Sequence, residues 1–290
     1  MTNKNLQKEM EVHMRNKRLK YAVTGGGEDV HKAAPVLFKG DFCRSIDLAK
    51  EIGYNAIELH IKNPNEINGK KLKEYCDRIN FSVSALVTGM GYTIDKLSLI
   101  DDSEEVRNKA VQRLKECIDL AELLGCIVII GYMRGNIPDL DATSKYKNYL
   151  IDSLTTLTNY SKLKDVVLAL EVINRYEVNY LNTIEETSNL IDEVGSDFLK
   201  VHIDTFHMNI EEKDFAESIL ACKNKLGYVH IADSNRQAPG LGHIDFAHII
   251  RMLKQVEYSG YISVECLYKD PVETAKQSLN YLKSVEENIT

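Results

Sequence analysis

From residue 19 onward, short apolar runs rich in Val, Ile and Leu alternate with longer stretches in which apolar residues recur at helical spacing. That alternation is the pattern of repeated βα units on a parallel sheet. It predicts strands over 19–23, 55–59, 81–88, 126–131, 166–172, 199–203, 226–231 and 261–265. The intervening stretches predict helices over 42–52, 69–78, 103–124, 145–163, 183–194, 214–223, 245–256 and 271–285. Ser103-Glu104-Glu105 reads as a helix start, and Gly125 and Gly195 as helix stops. Gly25-Gly26-Gly27 reads as a flexible first loop, because it lacks the glycine spacing of a phosphate cradle. Eight consecutive units without an antiparallel excursion predict an α/β fold, a (β/α)8 TIM barrel in a single domain over 19–290, rather than a doubly wound open sheet. Residues 1–18 are polar and basic and read as an N-terminal arm or short helix.

The apolar pattern breaks in KVHIDTFHMNIEE (200–212), where a strand ends in Asp204 and His207 follows three residues later. Other strands end in the same way, in Glu171, His230 and Glu265. Alternate residues of a barrel strand share a face. Ala169 and Glu171, His202 and Asp204, Tyr228 and His230, and Ser263 and Glu265 therefore form one set. Leu168, Leu170, Val201, Ile203, Val229, Ile231 and Val264 form the other, the apolar layer expected beneath the helices. The polar set must then point inward, with its last members at the C-terminal mouth, where barrel enzymes carry their chemistry.

A single Glu or His at a strand end is an ordinary ion-pair or core residue. Three carboxylates and an imidazole at matching depth are costly unless a cation neutralises them. An oxygen-rich set with one imidazole suits Mn2+ first, with Mg2+, Co2+ or Zn2+ as further candidates.

Composition narrows the partners. The net charge of −7, from 43 acidic against 36 basic residues, argues against a general phosphate-backbone binder. Six cysteines without a CxxC pair read as reduced, mostly buried thiols, and the polar start has no apolar signal segment. No run reaches membrane-spanning length. The expectation is a cytoplasmic enzyme with a small-molecule substrate.

At these same residues the chain resembles a known group. LEVINRYE (170–177), IDTFHMNIEE (203–212), HIADSNR (230–236) and SVECL (263–267) are similar to the sugar isomerase/epimerase barrels that include the D-tagatose and D-psicose 3-epimerases. FKGDF (38–42), VIIGYMRG (128–135), NRYEVNYLNT (174–183) and ADSNRQAPGLGHIDF (232–246) bring it nearest the 5-keto-L-gluconate epimerases of that group. The resemblance implies inversion of C3 of a keto sugar or keto-sugar acid, and assembly as a homodimer or homotetramer. It implies that Glu171, Asp204, His230 and Glu265 ligate the metal, that Glu171 and Glu265 are also the acid/base pair, and that Glu177, His207 and Arg236 hold the substrate's O1 to O3 end. Arg134, after the fourth strand, is a further candidate for a distal carboxylate or hydroxyl, and His60 for the pocket wall. His202 departs from the group's pattern, which has an apolar residue there. Aldose–ketose or inosose isomerisation on the same barrel is the alternative reaction. An apurinic endonuclease would need more histidines and a basic groove, and a sugar-binding role would not need two acid/base glutamates.

Overall fold

The computed structural model describes residues 18–289; the expected N-terminal arm falls almost wholly outside them. Eight parallel strands close a barrel: β1 (Lys20–Gly26), β2 (Ala56–His60), β3 (Ser82–Val87), β4 (Ile127–Ile130), β5 (Leu168–Glu171), β6 (Leu199–Asp204), β7 (Leu226–Ile231) and β8 (Tyr261–Val264). Each pairs with the next, and β8 returns to β1, with Val23 opposite Val264. A two-residue strand, Phe38–Lys39, adds to the far end of β1. The helices are α1 (Phe42–Ile52), α2 (Gly69–Ile79), α3 (Met90–Thr93), α4 (Glu104–Leu124), α5 (Thr143–Lys164), α6 (Ile184–Val194), α7 (Thr205–Glu211), α8 (Phe215–Ala221), α9 (Phe246–Gln255) and α10 (Pro271–Asn288). The chain is thus the single (β/α)8 barrel that its βα alternation predicts.

The inward and outward faces follow the parity of the sequence. Leu168, Leu170, Val201, Ile203, Val229, Ile231 and Val264 belong to the large core between sheet and helices. Ala85, Val87, Ile129, Ala169 and Tyr228 pack separately as the floor inside the barrel. Polar side chains start the helices: Asp41, Asp214, Asp245 and Asp270 accept a first-turn backbone N–H, and Thr183 with Glu186 forms a capping box on α6.

Two local expectations change. Gly25 and Gly26 are strand, not loop: a Cβ on Gly25 would stand 2.7 Å from Ile57 Cδ1, and one on Gly26 2.5 Å from Val30 Cγ2, so the glycines serve close packing. Ser103 occupies the N-cap position of α4, but its side chain makes no capping bond. His207 lies on the short helix α7. Glu211 and Glu212, at the end of α7, bind back to earlier segments. Glu211 grips Arg175 at 2.6 Å, and Glu212 accepts the N–H of Ile184 at the start of α6. The six cysteines are free thiols, five of them buried. Among the described residues no helix is long and apolar enough to cross a membrane.

Candidate active site

The mouth of the barrel collects the tips of four strands around one nitrogen. His230 Nδ1 lies 3.8 Å from Glu171 Oε1, 3.9 Å from Asp204 Oδ2 and 3.6 Å from Glu265 Oε2. All four side chains are buried. Asp204 contributes only one oxygen, because its Oδ1 caps α7 by accepting the Phe206 N–H at 2.7 Å. Its Oδ2 and His230 Nδ1 have no hydrogen-bond partner among the described residues. Ion–ligand bonds of about 2.0–2.2 Å set neighbouring ligand atoms about 3–3.5 Å apart. The three distances to His230 Nδ1 are a few tenths wider, a spacing that a divalent cation shared by these groups would tighten.

His230 can offer Nδ1 because its other nitrogen is held from behind. Nε2 stands 2.8 Å from Glu58 Oε2, and His60 Nε2 is 3.0 Å from Glu58 Oε1. Glu58 is fully buried on β2, one inward step below His60. A carboxylate behind a ligating imidazole fixes its ring and raises its basicity. Glu58 was not among the sequence candidates, although its inward parity with Ala56 and His60 was readable in AIELH.

The electrostatics express the crowding. Burial, then the charges of Glu265 and Asp204, raise Glu171 to about 8, and burial likewise raises Asp204 and Glu265. Burial works against a charged His230, yet Glu58 and Glu265 overcome it and raise the imidazole to about 10. His202, one layer deeper, is held well below its ordinary value by burial and by His230, and is neutral.

A second group faces this cluster. His207 Nε2 is 4.0 Å from both Glu171 Oε1 and Asp204 Oδ2. Its Nδ1 meets Asn174 Nδ2 at 2.6 Å. Asn174 Oδ1 accepts the Tyr176 N–H at 2.9 Å, so its amide nitrogen must be the group that donates to His207 and, at 3.1 Å, to Glu177. His207 therefore carries its proton on Nε2, facing the cluster. Burial, with the charge of Arg236, pulls His207 down to about 3 and keeps it neutral. Glu177 also accepts from the Tyr132 hydroxyl and pairs with Arg236 at 2.6 Å. Burial opposes ionisation of Glu177, but Arg236 holds it below the usual carboxylate range. Asn174 and Tyr132 were missed because Asn174 lies on a loop and Tyr132 on a single 3-10 turn, where no period assigns a face.

Arg236 reaches the cluster from a built loop. Buried Asp233 accepts the N–H groups of Ser234, Gly240 and Ile244, and Arg236 itself has a left-handed backbone, φ 59°. Such a conformation is uncommon for a side chain of this size and is held here by bonds on either side. Its guanidinium lies 3.8 Å from Glu265 Oε2 and over the Phe206 ring. Glu171, His207, Arg236 and Glu265 line one cavity of about 500 Å3, with His60 and Tyr132 on its wall. Arg134 does not join them. It is fully buried behind that wall, donates to the Leu181 carbonyl at 3.3 Å, and is not among the lining residues.

The fold and this donor set define the class. The xylose isomerase-like TIM barrel family matches residues 46–285, and the chain belongs to it. The L-ribulose 3-epimerase of Methylomonas sp. (strain DH-1) is 32% identical over 233 residues, 79% of this chain and 80% of that protein. The D-psicose 3-epimerase of Enterocloster bolteae is 30% identical over 234 residues, 78% of this chain and 76% of that one. The crystal structure of a D-allulose 3-epimerase from Methylomonas sp. in complex with D-allulose has a TM-score of 0.79 at 28% identity, covering 92% of this chain and 97% of that one. The relatives are epimerases, which places the chain among the isomerases.

Gly131 lets the Glu171 carboxylate sit where it does, since a Cβ there would overlap Glu171 Oε2. Gly131→Ala should weaken Mn2+ binding by about 10-fold or more with little change in secondary structure, measured by calorimetry and circular dichroism. Metal binding should also release about two protons near pH 7, from Glu171 and His230. Both groups have raised folded values, so their contribution to metal-free stability is lost as pH rises through about 8 and about 10. The thermal stabilisation given by Mn2+ should therefore grow from pH 5 to pH 8. Binding heats independent of the buffer's ionisation enthalpy would contradict this.

Proposed function

We propose that the protein is a metal-dependent epimerase inverting C3 of a ketose, with Glu171 and Glu265 as the acid/base pair. The observation that carries this reading is the position of those two carboxylates. They come from strands three apart around the barrel, yet both lie within 3.8 Å of the same His230 nitrogen. A ketone's neighbouring C–H is too weak an acid for a side chain alone, and inversion needs a proton removed on one face and returned on the other.

Glu171, Asp204, His230 and Glu265 would hold the divalent cation, with Mn2+ the first expectation. When bound, it supplies Lewis-acid stabilisation of charge on the substrate's C2 and C3 oxygens. Glu171 and Glu265 then act in turn: one takes the C3 proton to give an enediolate, and the other delivers a proton to the opposite face. Neutral His207 donates from Nε2 to a substrate oxygen, its tautomer fixed by Asn174. Arg236, anchored by Glu177, holds hydroxyl oxygens at the O1 to O3 end and balances negative charge beside Glu265. Tyr132 and His60 bound the pocket.

A neutral ketose is favoured over a keto-sugar acid by the place of Arg134. The guanidinium best suited to a distal carboxylate lies behind the wall, and the lining Arg236 is already paired with Glu177. The 3-epimerase relatives named above support the same choice. Aldose–ketose isomerisation would exchange hydrogen at C1 instead. Assembly as a homodimer or homotetramer accompanies this reading, as does a cytoplasmic setting.

Metal-loaded protein in D2O should introduce deuterium at C3 of a ketohexose such as D-psicose or D-tagatose, with kcat/KM above that for 5-keto-L-gluconate. Exchange at C1, or none with any ketose by a folded, metal-loaded protein, would reject the reading. Glu265→Gln should lower C3 exchange by about 10^3-fold while still binding some metal. Near wild-type exchange in that variant would remove Glu265 from the pair.

A further inference from the structure

Beneath the four strand tips lies a group that the proposed chemistry does not use. His202 sits two residues before Asp204 on β6, on the same inward face and one layer deeper in the barrel. Its ring is fully buried, and neither Nδ1 nor Nε2 has a hydrogen-bond partner among the described residues. A buried imidazole kept only for packing would ordinarily set one nitrogen against an acceptor, since each unsatisfied polar group costs about 1–3 kcal/mol. The neighbouring hydroxyls do not provide one: Tyr228 is bonded to Ser84, and Ser263 Oγ has no partner of its own.

The surroundings of His202 point toward the metal ligands. The sheet register sets it directly across from Glu171. Its ring stands edge-on to His230, with centroids 4.1 Å apart and an interplanar angle of 88°. One of its nitrogens, a Glu171 carboxylate oxygen and a His230 nitrogen all lie within 4.8 Å of one another. Ligands on opposite sides of an ion with bonds of about 2.1 Å stand about 4.2 Å apart, so small movements bring this trio to coordination distance.

We infer that His202 is a second imidazole ligand of the cation, reaching it from the barrel floor; this rests on the metal-site reading above. It turns a set of three oxygens and one nitrogen into three oxygens and two nitrogens. A second imidazole shifts preference toward Co2+, Ni2+ and Zn2+ and away from Mg2+ and Mn2+. Because the ligand comes from the deeper layer, the side of the ion toward the mouth stays free for substrate oxygens. His207 is the competing source of a second imidazole, and the test must separate the two.

Pulsed EPR of the full-length protein loaded with Mn2+, using 15N-labelled histidine, counts the imidazole nitrogens bound to the ion. The expected count is two in the wild type and in His207→Gln, and one in His202→Leu. Calorimetry should show Co2+ affinity falling by about 10- to 100-fold in His202→Leu, with a smaller loss for Mn2+. One imidazole in the wild type would overturn the inference and leave the four-ligand site standing. A second imidazole lost in His207→Gln would assign it to His207 and overturn the inference equally. If His202→Leu does not fold, the counts in the wild type and in His207→Gln decide the question. No bound imidazole in the wild type would overturn both this inference and the metal site beneath it.

Discussion

Three carboxylates converge within 3.9 Å of one imidazole nitrogen in the mouth of the barrel, all four side chains buried, and the rest of the site is arranged around the cost of that meeting. Without a cation, the crowding is met by retained protons: Glu171 is lifted to about 8 and His230 to about 10. In the proposed metal-bound state a divalent ion would replace those protons with a charge that all four groups can share. Glu58 makes the exchange possible, because its bond to Nε2 leaves His230 only Nδ1 to give. The same carboxylate holds His60 at the pocket wall, so one buried acid organises both sides of the mouth.

From that constraint the outer parts acquire their roles. The site must bind a substrate without adding further unneutralised charge. Arg236 arrives already paired with Glu177, and His207 is kept neutral by burial and aimed by Asn174. The loop carrying Arg236 is fastened by Asp233, whose carboxylate gathers three backbone N–H groups over a left-handed turn. Gly131 leaves the space beside the Glu171 carboxylate free, since a Cβ there would overlap Glu171 Oε2. Strand ends carry the four candidate ligands, while a short helix and hydrogen-bonded loops carry the groups that would face substrate, a division that suits a precise proton transfer.

The barrel and the inward direction of Glu171, Asp204, His230 and Glu265 were legible because strand parity is a hard geometric rule. Once Leu168, Leu170, Val201 and Ile203 are assigned to the helix side, Glu171 and Asp204 have only one direction left. The same rule turns Glu58 inward, but it lies one layer below the strand tips, where nothing in the local pattern marks its role. Loops offer no such rule. Asn174 and Tyr132 carry no period, Arg134 turned behind the wall instead of into the cavity, and His207 proved to lie on a single short helix. Gly25 and Gly26 misled for a related reason: glycine reads as a turn locally, whereas here Ile57 and Val30 left room only for a bare backbone. In each case packing between distant segments decided what local composition could not.

The central claim is that one ion sits among four strand tips, with His230 turned toward it by Glu58. Anomalous diffraction from crystals of the Mn2+-loaded protein tests it most directly. The account predicts a single strong peak bonded to Glu171, Asp204, Glu265 and His230 Nδ1, with His230 Nε2 still on Glu58. A peak elsewhere in the barrel, or an ion bound through His230 Nε2 with Glu58 released, would contradict it.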